Sequence, residues 1–250
     1  MRIAVLGAGA FGSALGGILE KNGHLVQYFD KEKFPNVELA GVLDFAEVVL
    51  LAVPSMAVVE LVAQIPEEKT VILSTKGLVS LDIFKKFKNF GVMSGATFAR
   101  DLADGKPTRM TATQPLIESL FANAAIKFDR TDDDLGVMLC GSLKNVYAVG
   151  AGYRGIRYGM PEFAEYIRAA ASEMRDFLRE KQARPETVDL ACGVADLILT
   201  CNSSDSRNYQ FGQALKRGGL VTGTIEAQNT AQMLHAVRQP LLGSIIQLIG

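Results

Sequence analysis

The stretch Arg2-Ile3-Ala4-Val5-Leu6-Gly7-Ala8-Gly9-Ala10-Phe11-Gly12 decides how the rest of the chain reads. Its first five residues are a short, largely apolar run, as a strand covered on both faces should be. Gly7, Gly9 and Gly12 then fit G-x-G-x-x-G, and residues 12–22 have helical character, with Gly23 placed to end them. Strand, glycine turn and helix in that order make the pattern a dinucleotide-binding signature. The glycines allow a tight turn and close approach to a pyrophosphate, while the helix N-terminus offers N–H groups to the anion. A tight turn with no ligand is the competing reading. Arg2 and the apolar residues through Leu19 also imitate a secretory signal, but the glycine spacing and the strand that follows argue against one.

Working outward, strands are expected at about 24–30, 47–53, 70–74, 90–93, 109–113 and 125–128, with helical segments between them. Such alternation predicts an α/β fold, an N-terminal Rossmann domain with a doubly wound, mainly parallel sheet. Gly7-Ala8-Gly9, Val53-Pro54-Ser55, Thr75-Lys76-Gly77 and Ser94-Gly95-Ala96 follow four of the strands. As loops they would share the carboxyl edge of the sheet, where ligands bind. Asp30 ends the second strand. Its carboxylate there can bind the ribose hydroxyls of NAD and repel the 2′-phosphate of NADP, so NADH is the expected preference. Lys31 and Lys33 pull the other way, and a plain solvated turn is the alternative.

Near Thr131 the pattern changes. Asp132, Asp133 and Asp134 suit a helix N-terminus, and helices are expected at about 134–150, 161–182, 186–201, 206–217 and 225–237. The expected division is a dinucleotide-binding domain over 1–130 and an all-helical substrate domain over 131–250.

Composition narrows the function classes. The chain has 250 residues, 48% hydrophobic and 21% charged, with a net charge of −1. No global basic field suggests nucleic acid, and no run of about 18 apolar residues suggests a membrane span. Lys85, Lys86 and Lys88 alternate with Phe84 and Phe87, as the wet face of a short helix would. Cys140, Cys192 and Cys201 sit in apolar contexts without C-x-x-C spacing, which fits buried thiols and the cytoplasm. The two histidines, His24 and His235, lie far apart and are read as structural or exposed, so no metal site is expected.

Lys144 is the only charged residue from Leu135 to Tyr153, and Asp196 is alone in the same way within 191–200. Isolated buried charges are unfavourable, so the two are expected to pair. The pair could be structural, or Lys144 could be the acid–base group. Ser203-Ser204-Asp205-Ser206-Arg207-Asn208 reads as a capped helix start that places Arg207 and Asn208 in its first turn. An anionic substrate could bind there. A capped helix with a solvated arginine explains the same residues.

Taken together, GAGAFGSAL at 7–15, VPS at 53–55, STKGL at 74–78, SGATFA at 94–99, GSLKNV at 141–146 and DLILTCNSSDSRNYQFGQAL at 196–215 resemble the NAD(P)-dependent glycerol-3-phosphate dehydrogenase family. The resemblance implies interconversion of dihydroxyacetone phosphate and sn-glycerol 3-phosphate by hydride transfer. It assigns Lys144 as general acid–base, with Asp196 and Lys76 beside it in the catalytic group. Lys76, Gly95, Thr97, Lys144, Asp196, Ser206, Arg207 and Asn208 would bind the small phosphorylated substrate. The dinucleotide would be bordered by Gly7, Gly9, Ala10, Phe11, Gly12, Asp30, Lys31, Lys76, Ala99 and Glu226. A homodimer is one assembly open to such a chain. The chain departs from the family in its shorter length, in Ala96 and Ala227 where the family carries proline and glycine, and in the acidic Asp30. A dehydrogenase for another small hydroxy compound, or a dinucleotide-binding regulator without turnover, are the alternatives.

Overall fold

A computed structural model describes residues 1–122, 124–219, 225–234 and 237–250. His235 lies outside them, and the helix expected at 225–237 covers Glu226–Met233, with Leu234 leaving helical geometry. The described chain divides into two compact units, Met1–Thr75 with Val79–Asp134, and Lys76–Leu78 with Leu135–Gly250.

The first unit contains β1 (Arg2–Leu6), α1 (Ala10–Lys21), β2 (Leu25–Phe29), α2 (Leu39–Phe45), β3 (Val48–Leu51), α3 (Ser55–Gln64), β4 (Thr70–Leu73), β5 (Asn89–Ala96), α4 (Ala99–Ala103), β6 (Thr108–Ala112), α5 (Pro115–Leu120) and β7 (Ile126–Arg130). Among the described residues the seven strands form one sheet in the order β2-β1-β3-β4-β5-β6-β7. Pairing is parallel except between β5 and β6. Helices cover both faces, which is why β1 and β3 are apolar almost without interruption and buried. Each such valine or leucine contributes about 1.5–3 kcal/mol on leaving water. Helix α1 turns Leu15, Ile18 and Leu19 into this core against Ile3 and Val5 of β1.

Two expectations need correcting here. The basic run does not lie on a helix: a short 3₁₀ helix covers Leu81–Phe84 and ends before Lys86 and Lys88. Phe84 and Phe87 are buried, and Phe84 stacks on Phe90. Ser94-Gly95-Ala96 is not a loop, because β5 continues through it and pairs Gly95 with Met110.

The second unit contains α6 (Asp134–Arg154), α7 (Pro161–Glu180), α8 (Asp196–Cys201), α9 (Arg207–Lys216), α10 (Glu226–Met233) and α11 (Pro240–Ile249). Helix α6 is buried from Gly136 to Gly152, so it is the central element of the unit. Helix α7 packs with Phe163, Tyr166, Ile167, Ala170, Met174 and Phe177, an apolar stripe at helical spacing. Helix α9 meets α6 backbone to backbone. A Cβ on Gly152 would lie 2.0 Å from the Tyr209 carbonyl oxygen, and one on Gly212 would lie 2.0 Å from that of Val149.

The single helix expected at 186–201 is broken. A 3₁₀ helix at Pro185–Asp189 and a π-type turn at Ala191–Ala195 precede α8. Gly193 leaves helical geometry and packs against Val188, whose carbonyl oxygen a Cβ there would reach at 2.0 Å. Helix α11 lies beyond the last helix expected from the sequence. Pro240 opens it, and the Glu173 carboxylate of α7 accepts the N–H groups of Leu241 and Leu242 at 2.6 and 2.8 Å. An anion at that end complements the helix dipole.

Candidate functional site

In the first unit the glycine loop joins β1 to α1. Gly7 has φ +98°, and a Cβ on it would lie 2.6 Å from the Ala52 carbonyl oxygen. A Cβ on Gly12 would lie 1.9 Å from the Gly7 carbonyl oxygen, so the loop closes onto the helix only through glycine. Gly9, the N-cap residue of α1, is different: a Cβ there would meet nothing within 4 Å. The helix therefore opens beside vacant space that a pyrophosphate can approach. Ala10 and Phe11 form the first turn. These features fit a dinucleotide.

Asp30 lies directly after β2 and is held firmly. One carboxylate oxygen accepts the Ala8 N–H at 2.8 Å, and the other accepts those of Glu32 and Lys33 at 3.0 Å each. Burial pushes its pKa up, but the Lys33, Ala8 and Glu32 N–H groups and the Lys33 charge outweigh this and leave it below the ordinary value. The carboxylate thus ties the glycine loop to the turn after β2. Lys31 extends to Glu60 on α3, 2.9 Å away, in an exposed ion pair.

Also in the first unit, Gly95 packs against β6, where a Cβ would lie 2.5 Å from the Met110 Cα. That contact accounts for glycine at this position without a ligand. Thr97 is buried, its N–H donating to the Gly95 carbonyl at 2.9 Å, and Ala99 starts α4.

The second unit brings the expected charged residues together. The Lys144 ammonium of α6 forms an ion pair with the Asp196 carboxylate of α8, with side chains 3% and 1% exposed. Loss of hydration lowers the Lys76 pKa to about 7, helped by the Lys144 charge and opposed by Asp196. Thr200, one turn beyond Asp196, donates to its backbone carbonyl at 2.6 Å and approaches its carboxylate at 3.3 Å. Cys201 is buried beside them, and burial raises its thiol pKa.

A second network explains why Lys76–Leu78 belongs with these helices. The Asn145 amide donates to the Lys76 carbonyl at 2.6 Å and accepts from the Asn208 amide at 2.9 Å. Asn208 in turn accepts the Ala227 N–H at 3.2 Å. Lys76, α6, the first turn of α9 and the start of α10 are therefore joined by side-chain amides. Ser206 is the N-cap of α9, its hydroxyl accepting the Tyr209 N–H at 3.3 Å. Arg207 is exposed in the first helical turn, and Glu226 opens α10.

Sequence reasoning missed Asn145 and Thr200. Both are uncharged and stand beside residues that it chose. Asn145 follows Lys144, and Thr200 sits four residues after Asp196, the spacing that stacks side chains on one helix face.

The family model for the N-terminus of NAD-dependent glycerol-3-phosphate dehydrogenase matches residues 29–118, and the one for its C-terminus matches residues 133–241. Glycerol-3-phosphate dehydrogenase [NAD(P)+] of Brucella ovis is 30% identical over 304 aligned positions, covering 99% of this chain and 92% of that protein. The enzyme of the same name from Synechococcus is 31% identical over 283 positions, covering 99% and 90%. Both alignments are longer than the 250-residue chain, so these relatives carry segments within the matched span that it lacks. The crystal structure of glycerol-3-phosphate dehydrogenase from Coxiella burnetii superposes with a TM-score of 0.86 at 25% identity, covering 99% of this chain and 94% of that one.

Proposed function

The chain belongs to the NAD-dependent glycerol-3-phosphate dehydrogenase family, and from that premise we propose how its residues interconvert dihydroxyacetone phosphate and sn-glycerol 3-phosphate. The observation that carries the reading is the buried Lys144–Asp196 pair with Lys76 against it, tied through Asn145 to the first turn of α9. The first unit binds the dinucleotide and the helical unit binds and protonates the substrate. When bound, the nicotinamide supplies or receives the hydride. Lys144 donates a proton to the substrate oxygen during reduction and withdraws it during oxidation. Asp196 holds the ammonium in place, and Thr200 steadies Asp196. Lys76 supplies a second donor to the same oxygen or its neighbour.

Arg207 and Asn208 bind the phosphate. Exposed Arg207 offers paired N–H donors at a helix N-terminus, where an anion is favoured. Arg207→Ala is expected to raise KM for dihydroxyacetone phosphate by about tenfold or more, and to change KM for unphosphorylated dihydroxyacetone little. Equal losses for the two ketones would remove Arg207 from phosphate binding.

The enzyme prefers NADH over NADPH. Asp30 is fixed at the end of β2 by three N–H groups, so its charge cannot swing away from an adenosine 2′-phosphate. Lys31, the cation that would welcome that phosphate, is drawn towards Glu60. The expected ratio of kcat/KM favours NADH by about tenfold, the scale of one unfavourable charge contact. Equal or better use of NADPH would mean that Lys31 leaves Glu60 and governs the site.

No helix among the described residues is long and apolar enough to cross a membrane. Cys140, Cys192 and Cys201 are buried and unbridged, which supports a reducing, cytoplasmic location.

A further inference from the structure

Strand β7 (Ile126–Arg130) ends the sheet, with β6 on one side and no strand on the other among the described residues. The Thr108 N–H donates to the Ala125 carbonyl at 2.9 Å, and the Thr131 N–H donates to the Ala112 carbonyl at 3.3 Å. With the parallel register of the two strands, the backbone groups of residues 125, 127, 129 and 131 therefore face β6. Those of Ile126, Phe128 and Arg130 point outwards and have no backbone partner among the described residues.

The side chains add a charge pattern to this open edge. Arg109 of β6 and Lys127 stand directly opposite in the register, a like-charged pair. Arg109 turns to Asp129 instead, its Nε donating to the carboxylate at 2.7 Å. Lys127 is exposed and forms no ion pair among the described residues.

We propose that β7 is the pairing edge of a homodimer, in which a second copy of the chain adds its own β7 antiparallel about a two-fold axis at Phe128. Outward backbone groups bond only to outward backbone groups, so Ile126, Phe128 and Arg130 must meet the same set. An axis at Lys127 would oppose two lysines, and one at Asp129 two aspartates, both unfavourable. An axis at Ile126 or Arg130 leaves most of the strand unpaired. The axis at Phe128 pairs the whole strand, Ile126 with the partner's Arg130 and Lys127 with the partner's Asp129. These last two form a pair without backbone hydrogen bonds, the closer of the two kinds, so Asp129 comes to lie between Arg109 and the partner's Lys127. A lysine in a bare edge strand keeps other strands away, and here it admits one that brings an anion to the matching place. The inference does not rest on the proposed function, because it uses no residue assigned to the substrate or the dinucleotide.

The test applies sedimentation equilibrium to the full chain over about 1–200 µM, together with amide hydrogen exchange read residue by residue. Two short strands bury less than a standard interface, so a dissociation constant in the micromolar range is expected. Protection of the Ile126, Phe128 and Arg130 amides should rise with concentration. The Lys127 and Asp129 amides, which face β6, should be protected throughout. Lys127→Glu sets carboxylates against each other on both sides of the axis and is expected to weaken the dimer by about tenfold or more, whereas Lys127→Arg should keep it. If either variant fails to fold, the exchange pattern of the parent chain decides. A chain that stays monomeric over this range overturns the proposal. So does a dimer indifferent to Lys127→Glu, or one whose added protection falls on β2 or the helical unit.

Discussion

Lys144→Ala is expected to lower kcat by about 10²–10⁴ while leaving the dissociation constant for the dinucleotide nearly unchanged. The substitution removes the ammonium proposed to exchange a proton with the substrate oxygen. The glycine loop and Asp30 belong to the other unit and keep their own hydrogen bonds. Stopped-flow turnover alongside fluorescence titration with NADH separates the two effects. Lys76 lies beside the vacated position and can take over the Asp196 carboxylate, so the variant should still fold. Turnover near that of the parent chain would exclude Lys144 from proton transfer.

Asp196→Ala should show the larger stability effect. It strands a buried ammonium with a second amine against it. Removing one partner of a buried ion pair destabilises by about 3–5 kcal/mol, because the remaining charge has neither water nor a counter-ion. Thr200 also loses its contact with that carboxylate, although it keeps the bond to the backbone carbonyl. Urea denaturation followed by circular dichroism measures the change. A loss under about 1 kcal/mol would mean that Lys144 reaches water or another anion once Asp196 is gone.

These effects could be anticipated because Lys144 and Asp196 were each the lone charge in an apolar window. Burial then demanded a partner, and few were available. The strands were legible for a similar reason, since β1, β3 and β4 are short apolar runs between polar or glycine-containing turns. Strand direction was less accessible. Periodicity records which face is buried, and it carries no sign that β6 runs opposite to β5.

The failures are also physical. Residues 186–201 have the composition of one helix, but Gly193 leaves helical geometry and its backbone closes against the Val188 carbonyl five residues earlier, which interrupts it. Helix α11 carried a signal in Pro240 and the apolar residues after it, while its capping anion, Glu173, comes from α7. Lys76 reads locally as part of a loop after a strand. Its place with the helical unit depends on Asn145, a neutral amide that the sequence pattern does not single out, and on its link to Asn208. The position of Asp30 at the end of the second strand suggests a ribose ligand. Two of its backbone hydrogen bonds, from Glu32 and Lys33, are local to the turn, and the third, from Ala8, depends on the glycine loop meeting that turn.

The central claim is that this shortened chain turns over the family's substrate. The most direct measurement is oxidation of NADH by the purified chain with dihydroxyacetone phosphate, followed by identification of the product. We expect one NADH consumed for each sn-glycerol 3-phosphate formed, with Lys144→Ala inactive under the same conditions. Absence of turnover with dihydroxyacetone phosphate, together with reduction of an unphosphorylated ketone, would contradict the account and assign the chain to a different small hydroxy compound.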